Sequence, residues 1–274
     1  MKKYLLLSLG ISLLLGQEIK WQRKSQPVKY DLLVFHSTMV ANLPTAQTVG
    51  PGDFEFEISH RFRAPVSVGF NDFFGMDAGA NMRIALAYGI AKNTMIAIGR
   101  SNVDKNFDLK GKYRFYQWRN MHLPAVFAVQ GGVAWNTQER AGRNRTDGKN
   151  FQYYLQVIAN TIYKNRMAIG IIPSYLYNSY IDCRDTQNSF TFGNYYQFYF
   201  YKVWSIWFEF NPTVTGWRRY HNSYAFGFEL ETGGHFFKVF LVNNSKLNLT
   251  QYLSGADDYG NGEYLLAFTI TRIL

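Results

Sequence analysis

The stretch "DFEFEISHRF", Asp53–Phe62, decides how the chain folds. Phe54, Phe56, Ile58, His60 and Phe62 share one parity, while Glu55, Glu57, Ser59, Arg61 and Arg63 share the other. Successive side chains of a β-strand point to opposite faces, so the segment is apolar on one side and charged on the other. A soluble sheet would turn the rings inward. A membrane barrel turns them outward to lipid and the charges inward.

The rest of the chain carries the same signal. Of 274 residues, 23 are Phe, 20 Tyr and 6 Trp, an aromatic share of 18% that suits strands. Alternating segments recur near 53–62, 78–89, 94–101, 107–116, 124–135, 150–160, 166–176, 190–200, 203–212, 223–231, 234–243 and 263–274. That pattern predicts an all-β fold, a transmembrane antiparallel up-and-down barrel of about twelve strands. Their connections alternate in length. "IAKN", "YKNR", "YK" (Tyr201–Lys202) and "TGG" are short, whereas 63–77, 136–149, 177–189, 213–222 and 244–262 are long. Short turns on the inner side and long loops outside are the asymmetry of outer-membrane barrels, which settles the sign of the faces. "NVDKN" and "QWRNMHL" depart from it. The last strand, "EYLLAFTITRIL", alternates to the end and can close the barrel against the first, removing both free edges.

The beginning reads differently. Lys2 and Lys3 precede an apolar run, Tyr4–Leu15, too short to span a bilayer as a helix. Residues 1–16 are therefore expected to be a signal peptide, and 17–52 a periplasmic N-terminal segment or a strand tucked into the barrel mouth, with 53–274 the barrel. Cys183 is the sole cysteine, so an internal disulfide is excluded. The net charge of +10 favours anionic surfaces or solutes, but the basic residues are scattered, which argues against nucleic acid.

The inward parity collects the candidate functional residues: Glu55, Glu57, Arg61, Arg83, Lys110, Lys112, Arg114, Glu209, Glu229 and Glu231. Lys110, Lys112 and Arg114 form a basic ladder on one strand. In a twelve-strand ring the strand bearing Glu229 and Glu231 would lie opposite it. If the lumen is open, the opposed walls favour small polar or charged solutes; if the charges meet, they plug a closed scaffold. Inward Gly and Ala on strands two, three and ten leave room, which favours the pore. The alternative is a closed barrel anchoring a periplasmic partner through 17–52.

Catalytic signals are weak. No metal-ligand spacing, cofactor motif or Gly-x-Ser-x-Gly elbow occurs among the histidines and serines. His221 and Ser223, with Glu229 or Glu231, come nearest to a lipid-modifying trio, yet Glu229 lies about 20 Å along the strand from Ser223. No enzyme activity and no cofactor are expected.

One block, "FEISHRF … NDFFGMDAGANMRIALAYGI … IAIGRSNVDKNFDLKGKYRF", resembles an uncharacterised outer-membrane β-barrel family of Gram-negative bacteria, number 5777 among domains of unknown function. The resemblance rests on Ser59-His60-Arg61-Phe62, Phe74-Gly75-Met76-Asp77, Ala80-Asn81, Arg83, Tyr88-Gly89, Gly99-Arg100-Ser101, Lys105, Asp108 and Lys112-Tyr113. It is clearest over residues 35–120 and implies a barrel in the cell envelope, surrounded by outer-membrane lipid. It brings no established activity. Because polar residues concentrate in this block, Asp77, Arg100, Lys105 and Asp108 are expected to form a polar cluster at the rim or in its loops.

Overall fold

The computed structural model describes residues 31–201, 203–257 and 263–274. The signal-peptide reading of 1–16, the part of 17–52 through residue 30, and Lys202 of the "YK" turn lie outside these residues. The strands are β1 (Phe54–Pro65), β2 (Ala80–Ala91), β3 (Thr94–Ser101), β4 (Asn106–Trp118), β5 (Ala125–Asn136), β6 (Phe151–Tyr163), β7 (Met167–Tyr177), β8 (Asn188–Tyr199), β9 (Trp204–Asn211), β10 (Thr213–Gly216), β11 (Ser223–Glu231), β12 (His235–Val242) and β13 (Leu265–Ile273). Each pairs antiparallel with its neighbours. β8–β9 and β1–β13 complete the ring. β10 continues β9 past Pro212 and still pairs with β8, so the wall is a closed barrel of twelve strands.

Register follows from the alternation. Glu55 lies opposite Ala87 and Thr271 flanks Glu57, so one slipped residue would turn the whole charged row into lipid. The short turns use the backbone that tight hairpins demand. Lys164 and Asn165 both have positive φ, 50° and 52°, the conformation of a two-residue turn that matches strand twist. The outward row is what a bilayer needs: Leu109 and Leu155 are 53% and 55% exposed. Rings gather near its ends. Trp135 stacks on Phe151 at 5.8 Å and Tyr264 meets Phe226 at 5.7 Å at the long-loop end; Phe54 meets Tyr88 at 4.7 Å at the short-turn end.

The barrel is not hollow. Residues 32–50 enter it from the mouth, where Leu33 is still exposed, and Val34, Phe35, Val40, Leu43 and Ala46 are buried inside with wall residues Ile158, Ile172, Tyr195, Trp207 and Phe240. The reading of 17–52 as a separate periplasmic segment gives way over 32–50, because that stretch buries an apolar set that the wall alone leaves open. It is irregular rather than a strand.

Candidate functional site: a lumen filled by the chain itself

The filling segment is a hairpin. Val40 N donates to Leu43 O at 2.9 Å and Thr45 N to Thr38 O at 3.0 Å, closing a tip over residues 40–43. One limb begins at the short-turn end, where Leu32 N donates to Gln117 Oε1 and His36 stacks on Tyr199 and contacts the Glu231 carboxylate. The other limb returns to the same end. Gly52 N donates to Gly89 O at 2.8 Å, and the Gly50 carbonyl lies where a Cβ on residue 89 would stand, 1.9 Å away. Glycine at 89 is therefore a condition of this close approach.

Wall charges grip this hairpin mainly through its backbone. Lys112 Nζ donates to Thr38 O, Thr45 O and Gln47 O at 2.8, 2.9 and 3.0 Å. Lys238 donates to Met39 O at 2.6 Å and Ser37 Oγ at 3.1 Å, and pairs with Glu229 at 3.2 Å. Glu209 accepts from the Asn42 and Leu43 amides at 3.1 and 3.3 Å and from the Asn42 side chain. Glu55 accepts from Thr38 Oγ1 at 2.6 Å, Ala46 N donates to Asn160 Oδ1 at 2.7 Å, and Tyr195 OH donates to Pro44 O at 2.9 Å. Buried charges need such partners, since an uncompensated one costs several kcal/mol.

The ten inward charges therefore sort into two groups. Glu55, Arg61, Lys110, Lys112, Arg114, Glu209 and Glu231 touch the hairpin: Arg61 meets Asn42 Oδ1, Lys110 lies 3.8 Å from Met39 Sδ, and Arg114 lies 3.5 Å from Gln47 Oε1. Glu57 and Arg83 pair within the wall, where Arg83 bridges Glu57 at 2.7 Å and Asp108 at 2.8 Å, and Glu229 is held by Lys238 and Gln197. Glu229 and Glu231 do not face the basic ladder across open space. One is taken by a neighbouring strand, the other by His36. A cavity of about 20 Å³, bordered by Asn42, Glu57, Arg61, Arg83, Asp108 and Lys110, remains beside the tip. That is room for one water.

The long-loop end carries a second closure. Residues 243–257, with a one-turn helix at Leu249–Leu253, fold over the mouth and bury Tyr252 and Leu253. Arg61 Nη1 donates to Asn244 O at 2.9 Å and Gln251 Nε2 to Asp104 Oδ2 at 2.8 Å. Asp257 joins Arg219 at 3.0 Å and Lys246. Burial alone would raise the Asp257 carboxyl, but the hydrogen bond and charge of Lys246, with Arg219, outweigh it and hold it below the usual carboxylate range.

The expected rim cluster does not form. Asp108 is an inward wall residue bound to Arg83. Arg100 lies on the outer surface with its guanidinium 4.3 Å over the Phe107 ring, while Asp77 and Lys105 are exposed on separate connections. Parity explains the split, since Asp108 shares the inward face of β4 with Lys110 and Arg100 shares the outward face of β3 with Ile98. The His221–Ser223–Glu229 trio is not assembled either: Ser223 is buried and donates to Tyr252 O at 2.7 Å, while His221 is exposed. Lys238, Asn160 and Tyr195 were missed as site residues. A signal existed, because β12 ("HFFKVFLV") and β7 ("MAIGIIPSYLY") are apolar on both parities, which a strand is only when both its faces are covered.

A family model for a membrane-bound β-barrel domain of unknown function, DUF5777, matches residues 35–274. The chain belongs to that family. The match begins inside the hairpin, so the family's domain comprises the filling as well as the wall. Among solved structures, the NanC porin is 8% identical, with 80% of this chain and 98% of that one covered at a TM-score of 0.50. The KdgM porin is also 8% identical, with the same coverage and a TM-score of 0.48. LpxR from Salmonella typhimurium is 9% identical, with 81% and 99% covered at 0.34. No curated protein matches the sequence. The fold is thus a closed, membrane-bound β-barrel, similar in architecture to that of the NanC porin.

Proposed function

We propose that this barrel is a gated pore for small polar or charged solutes, held shut by the hairpin at 32–50. The observation that carries this reading is that both limbs of the hairpin reach the same mouth. It can leave as a unit without threading the wall, whose hydrogen-bonded ladder is complete without it. Its departure would uncover Glu55, Lys112, Glu209 and Lys238, a mixed-charge lining suited to hydrated solutes. A closed anchoring barrel is the competing reading, favoured by the apolar contacts of Phe35, Val40 and Leu43 with Tyr195, Trp207 and Phe240.

Conductance in a planar bilayer separates the two. The full chain is compared with one whose residues 34–47 are replaced by a Gly-Ser segment of equal length, and with one in which 244–257 are replaced as well. Discrete conductance steps in either altered chain support the pore. Silence in both, with the barrel still shifting on gels after heating, overturns it and leaves the anchor.

A further inference from the structure

The outer surface offers a site that does not depend on how the lumen is used. A groove of about 510 Å³ runs along β2, β3 and the start of β4, floored by Met82, Ile84, Leu86, Ile98 and Phe107. These side chains belong to the lipid-facing row, so acyl chains already border the groove. At its long-loop end stands Arg100, one residue before β3 ends. The guanidinium carbon lies 4.3 Å over the centre of the Phe107 ring, and the group pairs with no carboxylate of the described residues. A charged group on a lipid-facing row is expensive unless it reaches the interface or meets an opposite charge. Lys105, exposed on the connection that follows, adds a second cation near the same end.

A second groove of about 440 Å³ serves as an internal comparison. It lies on β8, β9 and β11 among Met167, Tyr196, Phe198, Phe208 and Phe226, and no cation stands among its lining residues. Chains can fill either groove. Only the first adds a fixed positive group at headgroup level.

We infer that the Arg100 groove is a binding site for an anionic, phosphate-bearing lipid, one acyl chain lying along Ile84 and Ile98 and the phosphate meeting the guanidinium. Arginine suits this role because its planar fork takes two phosphate oxygens at once while the group stays over the ring.

Native mass spectrometry of the full chain released from neutral detergent tests the inference, with added dioleoylphosphatidylglycerol or dioleoylphosphatidylcholine, which share their acyl chains. The native chain should retain one phosphatidylglycerol at concentrations about tenfold below those needed for phosphatidylcholine. Arg100→Gln should abolish that preference while chain binding persists, and Arg100→Lys should keep part of it. Ile84→Trp, which fills the groove with Arg100 intact, should remove the retained lipid. Inorganic phosphate should not compete, since without a chain the exposed Arg100 and Lys105 hold it weakly. Equal retention of the two lipids by the native chain, or an unchanged preference in Arg100→Gln, overturns the assignment. So does displacement by millimolar phosphate, which would mean a bare anion site. None of these outcomes depends on conductance.

Discussion

Replacing Lys112 by Met keeps the length of the side chain and removes its charge, so it tests the grip on the hairpin without opening a cavity. The Lys112 ammonium holds three carbonyls. Thr38 O keeps a second donor, the Thr45 amide at 3.0 Å, so the Thr45 and Gln47 carbonyls suffer most. A buried acceptor deprived of its donor costs about 1–3 kcal/mol. Removing the ammonium also removes the cost of desolvating it, which trims the total. About 3 kcal/mol of net loosening follows, a rise of about a hundredfold in the population with the hairpin released. Amide hydrogen exchange read by mass spectrometry reports this directly. Exchange across residues 37–49 should accelerate by about that factor, while peptides from β5 and β6, whose backbone ladder does not involve the Lys112 side chain, stay slow. Unchanged exchange over 37–49 in a folded Lys112→Met chain would refute the reasoning, for the contacts would then contribute nothing to holding the hairpin.

Further outcomes follow from the same contacts. Glu209→Gln presents an amide nitrogen to donors that a carboxylate accepts, so exchange at Asn42 and Leu43 should rise about tenfold, checked in the same experiment. Gly89→Ala places a methyl on the Gly50 carbonyl; displacing that limb should cost about 1–3 kcal/mol and expose 48–53 to limited proteolysis, while the heat-induced gel shift persists. The Asp257 carboxyl lies lower in the folded chain than in the unfolded one. Its contribution to the outer closure is therefore full at neutral pH and lost as pH falls through the acid range below about 4. Exchange across 244–257 should rise there in the native chain, and Asp257→Asn should show the faster rate already at pH 7.

The wall was legible because its information is local. Alternation over ten residues assigns each strand, and the lengths of the connections assign the faces; both operate within a hairpin. All twelve expected segments coincide with observed strands, with ends moved by one to three residues for most. The filling was not legible for a physical reason. Its irregular backbone has no period, and its partners lie far off along the chain: Lys112 meets a carbonyl 74 residues away and Lys238 one 199 away. A lysine on an inward row reads the same whether water or a peptide carbonyl caps it. What the sequence did contain was the double-sided apolar character of β7 and β12, which is incompatible with a wholly watery interior. Arg100 and Asp108 illustrate the smaller failure. Grouping them by nearness in the chain overrides the faces of their own strands: Arg100 follows Ile98 on the lipid row of β3, and Asp108 precedes Lys110 on the lumen row of β4.

The central claim is that residues 32–50 occupy the barrel, and solvent access to a single side chain tests it. In a chain with Cys183 replaced by Ser, cysteine at Val40, which is 1% exposed, is compared with cysteine at Leu33, which is 62% exposed, for reaction with a small water-soluble maleimide in detergent and in vesicles. A seated hairpin predicts labelling at residue 40 at least about a hundredfold slower than at residue 33. Comparable rates at the two positions in the folded barrel would mean that the tip is bathed in water and the lumen stands open.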